Sequence, residues 1–371
     1  MCDRRNGALM NTPTFFFDAH LDLSMNAMEW NRDIRLSLVE IRRRELGMKD
    51  LPDRSRGVVS LPEMRRGRLG VCVATQIARY SARFSSLPGW KSPEQAWAQT
   101  QGQLAWYRAM EECGEMVQLR SWPEVDAHVK LWRNATEAEA AKLPIGYLLS
   151  LEGADSILSW RHLEKSRADG LIALGPVHYG PGIYGHGTDD EGPLTEKGRE
   201  LLREMERLGI ILDVTHLCDE SFWDALERFR GPVWASHHNC RALANWNRQL
   251  MDEQIKVLIE RGAVIGMAFD AIMMVHGWTH RRSMPQDFGL KMEKICEHID
   301  HICQIAGSVK HVGMGTDLDG GYGTEQTPMD LDSIADLRSL SLPLTKRGYT
   351  FEDIEAIFHG NFLRFLSEHL K

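Results

Sequence analysis

The chain is 371 residues long, with 44 basic and 52 acidic side chains and a net charge of −8. Hydrophobic residues make up 43% and charged residues 26%, a globular balance that excludes disorder and low complexity, and the acidic surplus argues against a nucleic-acid partner. No apolar run approaches the roughly 18 to 20 residues of a membrane-spanning helix, Met1–Asn6 lacks the apolar core of a secretory signal, and the odd count of seven cysteines contains no CxxC pair. The expectation is a cytoplasmic protein with reduced thiols and no membrane partner.

In chain order, the first apolar, β-branched run is Thr14–His20, followed by Gly70–Ile77. A long helical segment, Ser92–Cys113, carries Trp97, Leu104 and Trp106, and leads to a candidate short strand at Met116–Leu119 and a helix over Pro123–Trp132. Further runs are Ile145–Glu152, Gly170–His178 and Gly209–His216; Leu201, Met205 and Leu208 form a helical stripe before the last of these. After the stripe Phe222, Leu226 and Phe229 comes Pro232–His237, and after Ile255, Leu258 and Ile259, stopped by Gly262, comes Ala263–Phe269. Ile295, Ile299, Ile302 and Cys303 mark another helix ending near Gly307, His311–Asp317 is the eighth run, and Thr350-Phe351-Glu352-Asp353 reads as a capping box opening the last helix.

Runs apolar on both faces are what parallel strands look like when helices cover one side and a core fills the other. Eight of them alternating with helices predict an α/β fold, a (β/α)8 TIM barrel with a helical insertion between strands 2 and 3. Residues 1–371 read as one catalytic domain. A doubly wound open sheet is the competing architecture, but no glycine-rich phosphate loop supports it.

The run ends carry the chemistry. The first closes on Asp18-Ala19-His20-Leu21-Asp22, the third on Glu152, the fourth on His178, the fifth on His216, the sixth on His237 and the eighth on Asp317. In a barrel these ends converge on one mouth. Burying so many ionisable groups without compensation costs several kcal/mol each, so a cation is the natural partner, and imidazoles with carboxylates suit zinc. His20 and Asp22, two apart, leave one face of an extended segment and can share an ion. Adding Glu152, His216 and His237 gives five ligands, too many for one tetrahedral site that keeps a water; two ions bridged by Glu152 fit better.

Together, His20-Leu21-Asp22, Ser150-Leu151-Glu152-Gly153, Asp213-Val214-Thr215-His216, Ser236-His237-His238-Asn239 and Gly315-Thr316-Asp317-Leu318-Asp319-Gly320 resemble the membrane dipeptidase (renal dipeptidase) family of zinc metallopeptidases. The resemblance implies a (β/α)8 barrel with two zinc ions, replaceable by manganese or cobalt, that hydrolyses dipeptides and tolerates a D-residue at the C-terminal position. It implies His20 and Asp22 on one zinc, His216 and His237 on the other, and Glu152 between them. It further implies Asp317 as the group handling the proton, His178 against the substrate carbonyl oxygen, and Arg248 gripping the substrate carboxylate, with Arg241 as its rival. A metal-bridging hydroxide would attack the peptide carbonyl. Relatives are often dimeric, which makes a homodimer an open expectation. Where some members carry an aromatic substrate contact, this chain has Asp270, expected to favour a basic or amino group.

Several residues mimic ligands. His276 and His280 are four apart, but Gly277 argues against a helix; His238 neighbours His237; His186 sits in the glycine-rich Gly180–Gly187; Asp213 either orients His216 or is structural. Two other functions compete with a dipeptidase. One is a metal-dependent amidohydrolase acting on a cyclic amide, lactone or N-acyl amino acid, a group that often opens with His-x-His rather than His-x-Asp. The other is a non-catalytic peptide-binding barrel, which would show eroded ligands.

Overall fold

The computed structural model describes residues 15–81 and 88–370; Met1–Asn6, with Cys2, and Thr14 of the first run lie outside the described residues. Each of the eight apolar runs carries a strand. In chain order the strands are β1 (Phe16–Leu21), β2 (Leu69–Ile77), β3 (Met116–Gln118), β4 (Ile145–Glu152), β5 (Leu171–Gly175), β6 (Ile211–Asp213), β7 (Val233–Trp234), β8 (Ile265–Met267) and β9 (Val312–Met314). The short β3 falls within Met116–Leu119.

All pairings are parallel, and the sheet runs β1-β2-β4-β5-β6-β7. β8 and β9 pair from Ile265↔Val312 to Met267↔Met314. Two junctions complete the ring. Just beyond β7, Ala235 bridges to β8: its N–H donates to Val264 O at 3.1 Å and its carbonyl accepts from Gly266 N at 2.8 Å. At the other junction β9 packs beside β1. There the buried Asp18 carboxylate accepts from Thr316 N at 2.8 Å and Thr316 Oγ1 at 2.5 Å. The parallel sheet therefore curls into a TIM-type barrel.

β3 stands outside that ring. It pairs with Ile145–Tyr147 at the start of β4, and β5 takes over from Leu149, so the two share one edge of β4 end to end while β2 occupies the other. The helix Pro93–Glu112 leans on this region: Tyr107 stacks on Tyr147 with ring centroids 5.1 Å apart, and its hydroxyl donates to Thr75 O at 2.9 Å.

The amphipathic stripes bury as their spacing demands. Leu201 and Met205 face inward from helix Glu196–Leu208, which ends on the left-handed Gly209, and helix Ile295–Ala306 ends likewise on Gly307. Thr350 caps the helix Phe351–Glu355 as its box predicts, yet the chain then widens into a π turn over Ala356–Gly360 before helix Asn361–His369. That turn accompanies two anchorages beneath the barrel. Phe358 packs on Phe16, and Asn361 Nδ2 donates to Val309 O and Val312 O, each at 2.7 Å.

Two glycines allow the strand ends to converge. A Cβ on Gly266 or Gly315 would lie 1.9 or 1.7 Å from the Ser236 carbonyl oxygen, so only a bare backbone fits. β5 to β9 are shorter than their sequence runs. β5, β6, β7 and β9 end at Gly175, Asp213, Trp234 and Met314, and His178, His216, His237 and Asp317 each stand three residues further on, in the turns above the barrel. Among the described residues no helix is long and apolar enough to cross a membrane, and the cysteines there are free thiols.

Candidate metal centre

Two side chains reach the centre directly from strands. Asp18 and His20 share the inner face of β1, and Ser150 and Glu152 that of β4, because side chains two apart point the same way. His216 and Asp317 arrive from turns and adopt left-handed backbone, with φ of 70° and 57°. Non-glycine residues seldom do so; each carries about 1 kcal/mol of strain or more, which the surrounding packing holds in place.

The groups expected to hold metal are brought together. His20 Nε2 lies 3.7 Å from Asp22 Oδ2, 3.6 Å from Glu152 Oε2 and 3.8 Å from Asp317 Oδ1. On the opposite side Glu152 Oε1 is 2.8 Å from His216 Nε2 and 3.5 Å from His237 Nε2. The two carboxylate oxygens of Glu152 thus face different imidazoles. His20, Asp22 and Glu152 form one group whose donor atoms lie close enough for a metal ion, and His20, His237 and Asp317 form another.

Burial makes this arrangement expensive without a cation. His20 Nε2, Asp22 Oδ1 and Glu152 Oε1 are buried with no hydrogen-bond partner, each a desolvation cost of about 1–3 kcal/mol or more. Burial pushes the Glu152 carboxyl up to about 7 and the Asp317 carboxyl well above its ordinary range. Burial also pushes the His216 and His237 imidazoles well down. His20 goes the other way: burial would lower it, but the carboxylates of Glu152, Asp22 and Asp317 outweigh that and hold it up at about 10. A divalent ion would supply the positive charge that the proton on His20 now provides and would leave the imidazoles neutral and the carboxylates ionised, so the residues fit one.

Behind the imidazoles stand hydroxyls that sequence reasoning missed. Thr188 Oγ1 lies 2.9 Å from His216 Nδ1, Ser236 Oγ 2.9 Å from His237 Nδ1, and Thr75 Oγ1 3.4 Å from His20 Nδ1. A hydroxyl at Nδ1 can accept its proton, the arrangement that leaves the Nε2 lone pair facing the centre. Ser236 was visible beside its histidine in Ser236-His237, whereas Thr188 is 28 residues from its partner and left no local signal. Asp213 does not touch His216; it accepts from Thr215 N and Ser236 N, both at 3.1 Å, and is structural.

His178 differs from the other three histidines. Its Nε2 lies 3.8 Å from Glu152 Oε1, but its Nδ1 faces the Arg79 guanidinium, with Nη2 at 2.5 Å. Arg248 is buried beside His237, donating from Nη2 to His237 O at 2.9 Å, while its Nη1 has no partner. Its rival Arg241 is engaged by both oxygens of Asp219 at 2.8 Å. Asp270 caps the short helix Ala271–Met274, its Oδ1 accepting from Ile272 N at 3.1 Å and Gln326 Nε2 at 2.8 Å, and burial pushes it up to about 7.

The mimics fall outside the cluster. His276 and His280 are exposed turn residues, and His186 pairs with Asp190 at 2.7 Å. Asp319 accepts from Val58 N and Val59 N, away from the imidazoles that Asp317 faces.

Residues 4–370 match the family model described as membrane dipeptidase, peptidase family M19. The chain belongs to this family, a group of metallopeptidases that hydrolyse peptide bonds. Among curated relatives, an uncharacterised protein from the pqqA 5' region of Klebsiella pneumoniae is 30% identical over 214 residues, 56% of this chain and 75% of that one. An uncharacterised dipeptidase of Schizosaccharomyces pombe is 29% identical over 172 residues, 46% of this chain and 39% of its own length. The match therefore spans well under half of the yeast protein. A metallopeptidase of Rhodobacter sphaeroides, solved with a phosphinate mimic of the dipeptide L-Ala-D-Ala, superposes with a TM-score of 0.74 at 24% identity, covering 96% of this chain and 99% of that one. A second solved metallopeptidase, dipeptidase AC, gives 0.76 at 24% identity with the same coverage. These superpositions establish the barrel fold.

Proposed function

We propose that the chain is a single-domain, binuclear zinc dipeptidase of the cytoplasm that accepts either an L- or a D-residue at the C-terminal position. The observation that carries this is the set of buried, unpartnered atoms around Glu152: His20 Nε2 and Asp22 Oδ1 on one side, and on the other Glu152 Oε1, which faces His216 and His237. These five residues would hold the metal. When bound, two zinc ions supply Lewis acidity at the carbonyl and bring a water to a pKa near neutrality.

The chain's own residues do the rest. Arg248 offers its unpartnered Nη1 to the substrate's free carboxylate, which sets the scissile bond one residue from the C-terminus and favours dipeptides. His178 donates from Nε2 to the carbonyl oxygen as it gains charge. Asp317, whose carboxyl burial raises well above its ordinary range, takes the proton of the attacking water and hands it to the leaving amine. Asp270 presents its second oxygen to an amino or basic group of the substrate. The Rhodobacter sphaeroides relative, bound to its L-Ala-D-Ala mimic, supports tolerance of a D-residue.

The test is a panel of L,L- and L,D-dipeptides, N-acyl amino acids and lactones, run beside metal analysis. Both dipeptide series should be turned over and the protein should carry close to two ions per chain, with one or both lost in His216→Ala. Turnover confined to N-acyl amino acids or lactones, or a protein that takes up no metal, would overturn it. Asp270→Ala is expected to lose preference for basic dipeptides; equal turnover of neutral, acidic and basic dipeptides by wild type and variant removes that role.

A further inference from the structure

Resting on that reading, we infer that Arg79 is a positioning residue: its guanidinium, hydrogen-bonded to His178 Nδ1, fixes the imidazole proton on Nε2, making His178 a donor to the substrate and barring it from the metal. The polarity of one hydrogen bond sets the tautomer. Arginine has five N–H donors and no acceptor. Arg79 Nη2 points at His178 Nδ1, so that nitrogen must offer its lone pair and the ring proton must sit on Nε2.

The three imidazoles of the proposed cage have a different kind of neighbour at Nδ1. Each has a hydroxyl at Nδ1, able to accept a proton there and leave the Nε2 lone pair for a cation. By distance alone His178 groups with Glu152 and His216 as a third possible metal site. The guanidinium behind it separates His178 from the ligands, which proximity cannot do.

The support for Arg79 is built into two loops at the barrel mouth. Arg79 follows the end of β2 at Ile77, and its Nη1 donates to Pro88 O at 3.1 Å. The guanidinium carbon lies 5.6 Å from the centroid of the Tyr179 ring. The buried Asp155 carboxylate accepts from Tyr80 N at 3.1 Å and from Ile183 N at 2.9 Å. One carboxylate therefore ties the loop bearing Arg79 to the loop bearing His178.

The decisive measurement is nitrogen NMR of the zinc-loaded enzyme with 15N-labelled histidine, the His178 signals being assigned by their loss in His178→Gln. The wild-type spectrum is expected to show the Nε2–H tautomer; Arg79→Lys, still donor-only, should keep it and Arg79→Leu should lose it. In kinetics Arg79→Leu is expected to lower kcat about ten- to a hundredfold, with KM within about twofold, bounded by the loss seen when a whole oxyanion donor is removed. Arg79→Lys should recover most of the rate. His178→Ala should bind as many metal ions as wild type. An Nδ1–H or doubly protonated His178 in the wild-type spectrum, which needs no variant, would overturn the inference, as would metal loss in His178→Ala. A wild-type enzyme inactive on every dipeptide breaks the reading of function instead, and the tautomer still decides the role of Arg79.

Discussion

Two buried charge clusters lie almost side by side in this molecule, and they are built to opposite rules. In the first, Arg32 donates to Glu45 Oε1 at 2.8 Å, Asp53 Oδ2 at 2.9 Å and Asn26 Oδ1 at 2.8 Å. Glu45 also receives Arg54 Nη1 at 2.8 Å and Ser55 N at 2.7 Å, and Asp53 receives Trp30 Nε1. In the second, around Glu152, lone pairs face one another across unpartnered atoms. The same side chain type records the difference. Burial tends to raise Glu45, but Arg32, Ser55 and Arg54 draw it below the ordinary carboxylate range, whereas Glu152 is pushed up to about 7. Asn26 links the two, donating to Asp22 O and Asp319 O. A buried charge whose every lone pair meets a donor is structural; one left short is waiting for a ligand.

The sharpest way to break this contrast is to remove the cation of the satisfied cluster. Arg32→Met leaves Asp53 buried without its arginine and Glu45 held by Arg54 and Ser55 alone, and should cost about 3–5 kcal/mol of stability in urea unfolding. Glu152→Gln should do the reverse. Peptidase activity is lost and metal content falls below two ions per chain, while the metal-free protein unfolds at the same or a higher urea concentration, because one poorly solvated charge is gone.

A third test uses pH. The His20 imidazole is raised from 6.5 to about 10 in the folded protein, so the folded state holds a proton that the unfolded state releases. That contribution to stability is complete below pH 6.5 and is lost as pH rises towards about 10. The urea midpoint of the metal-stripped enzyme should therefore fall across this window, and the decline should be shallower in His20→Gln. Metal-loaded enzyme should show little of it, since a ligating imidazole is already deprotonated. The smallest expected effect is that of Thr188→Val, which removes the hydroxyl behind His216 and should weaken metal retention against a chelator by about ten- to a hundredfold.

The strands and helices were legible because burial on both faces writes itself into composition, and one-sided burial into a stripe such as Leu201, Met205 and Leu208. The π turn at Ala356–Gly360 was not: it answers to Asn361 reaching two carbonyls about fifty residues away, which no local pattern encodes. The histidines and acids of the site were readable as run ends, yet His178, His216, His237 and Asp317 belong to turns, and the left-handed backbone of His216 and Asp317 leaves no trace in residue type. The groups that assign their roles were hidden for a simpler reason. Thr188 and Arg79 meet their histidines 28 and 99 positions away.

The joint between Asp18 and Thr316 sets the order of events in the life of this protein. It spans 298 positions of sequence, so a chain emerging from the ribosome has most of its strands before the last of them can dock on the first. Contacts so distant are late and slow to form. Until they do, Asp317 is absent from the mouth. The five residues proposed to hold the metal all precede β9, whereas Asp317 follows it, so a chain cut short of β9 would keep the proposed ligands and lack the group proposed to carry the proton.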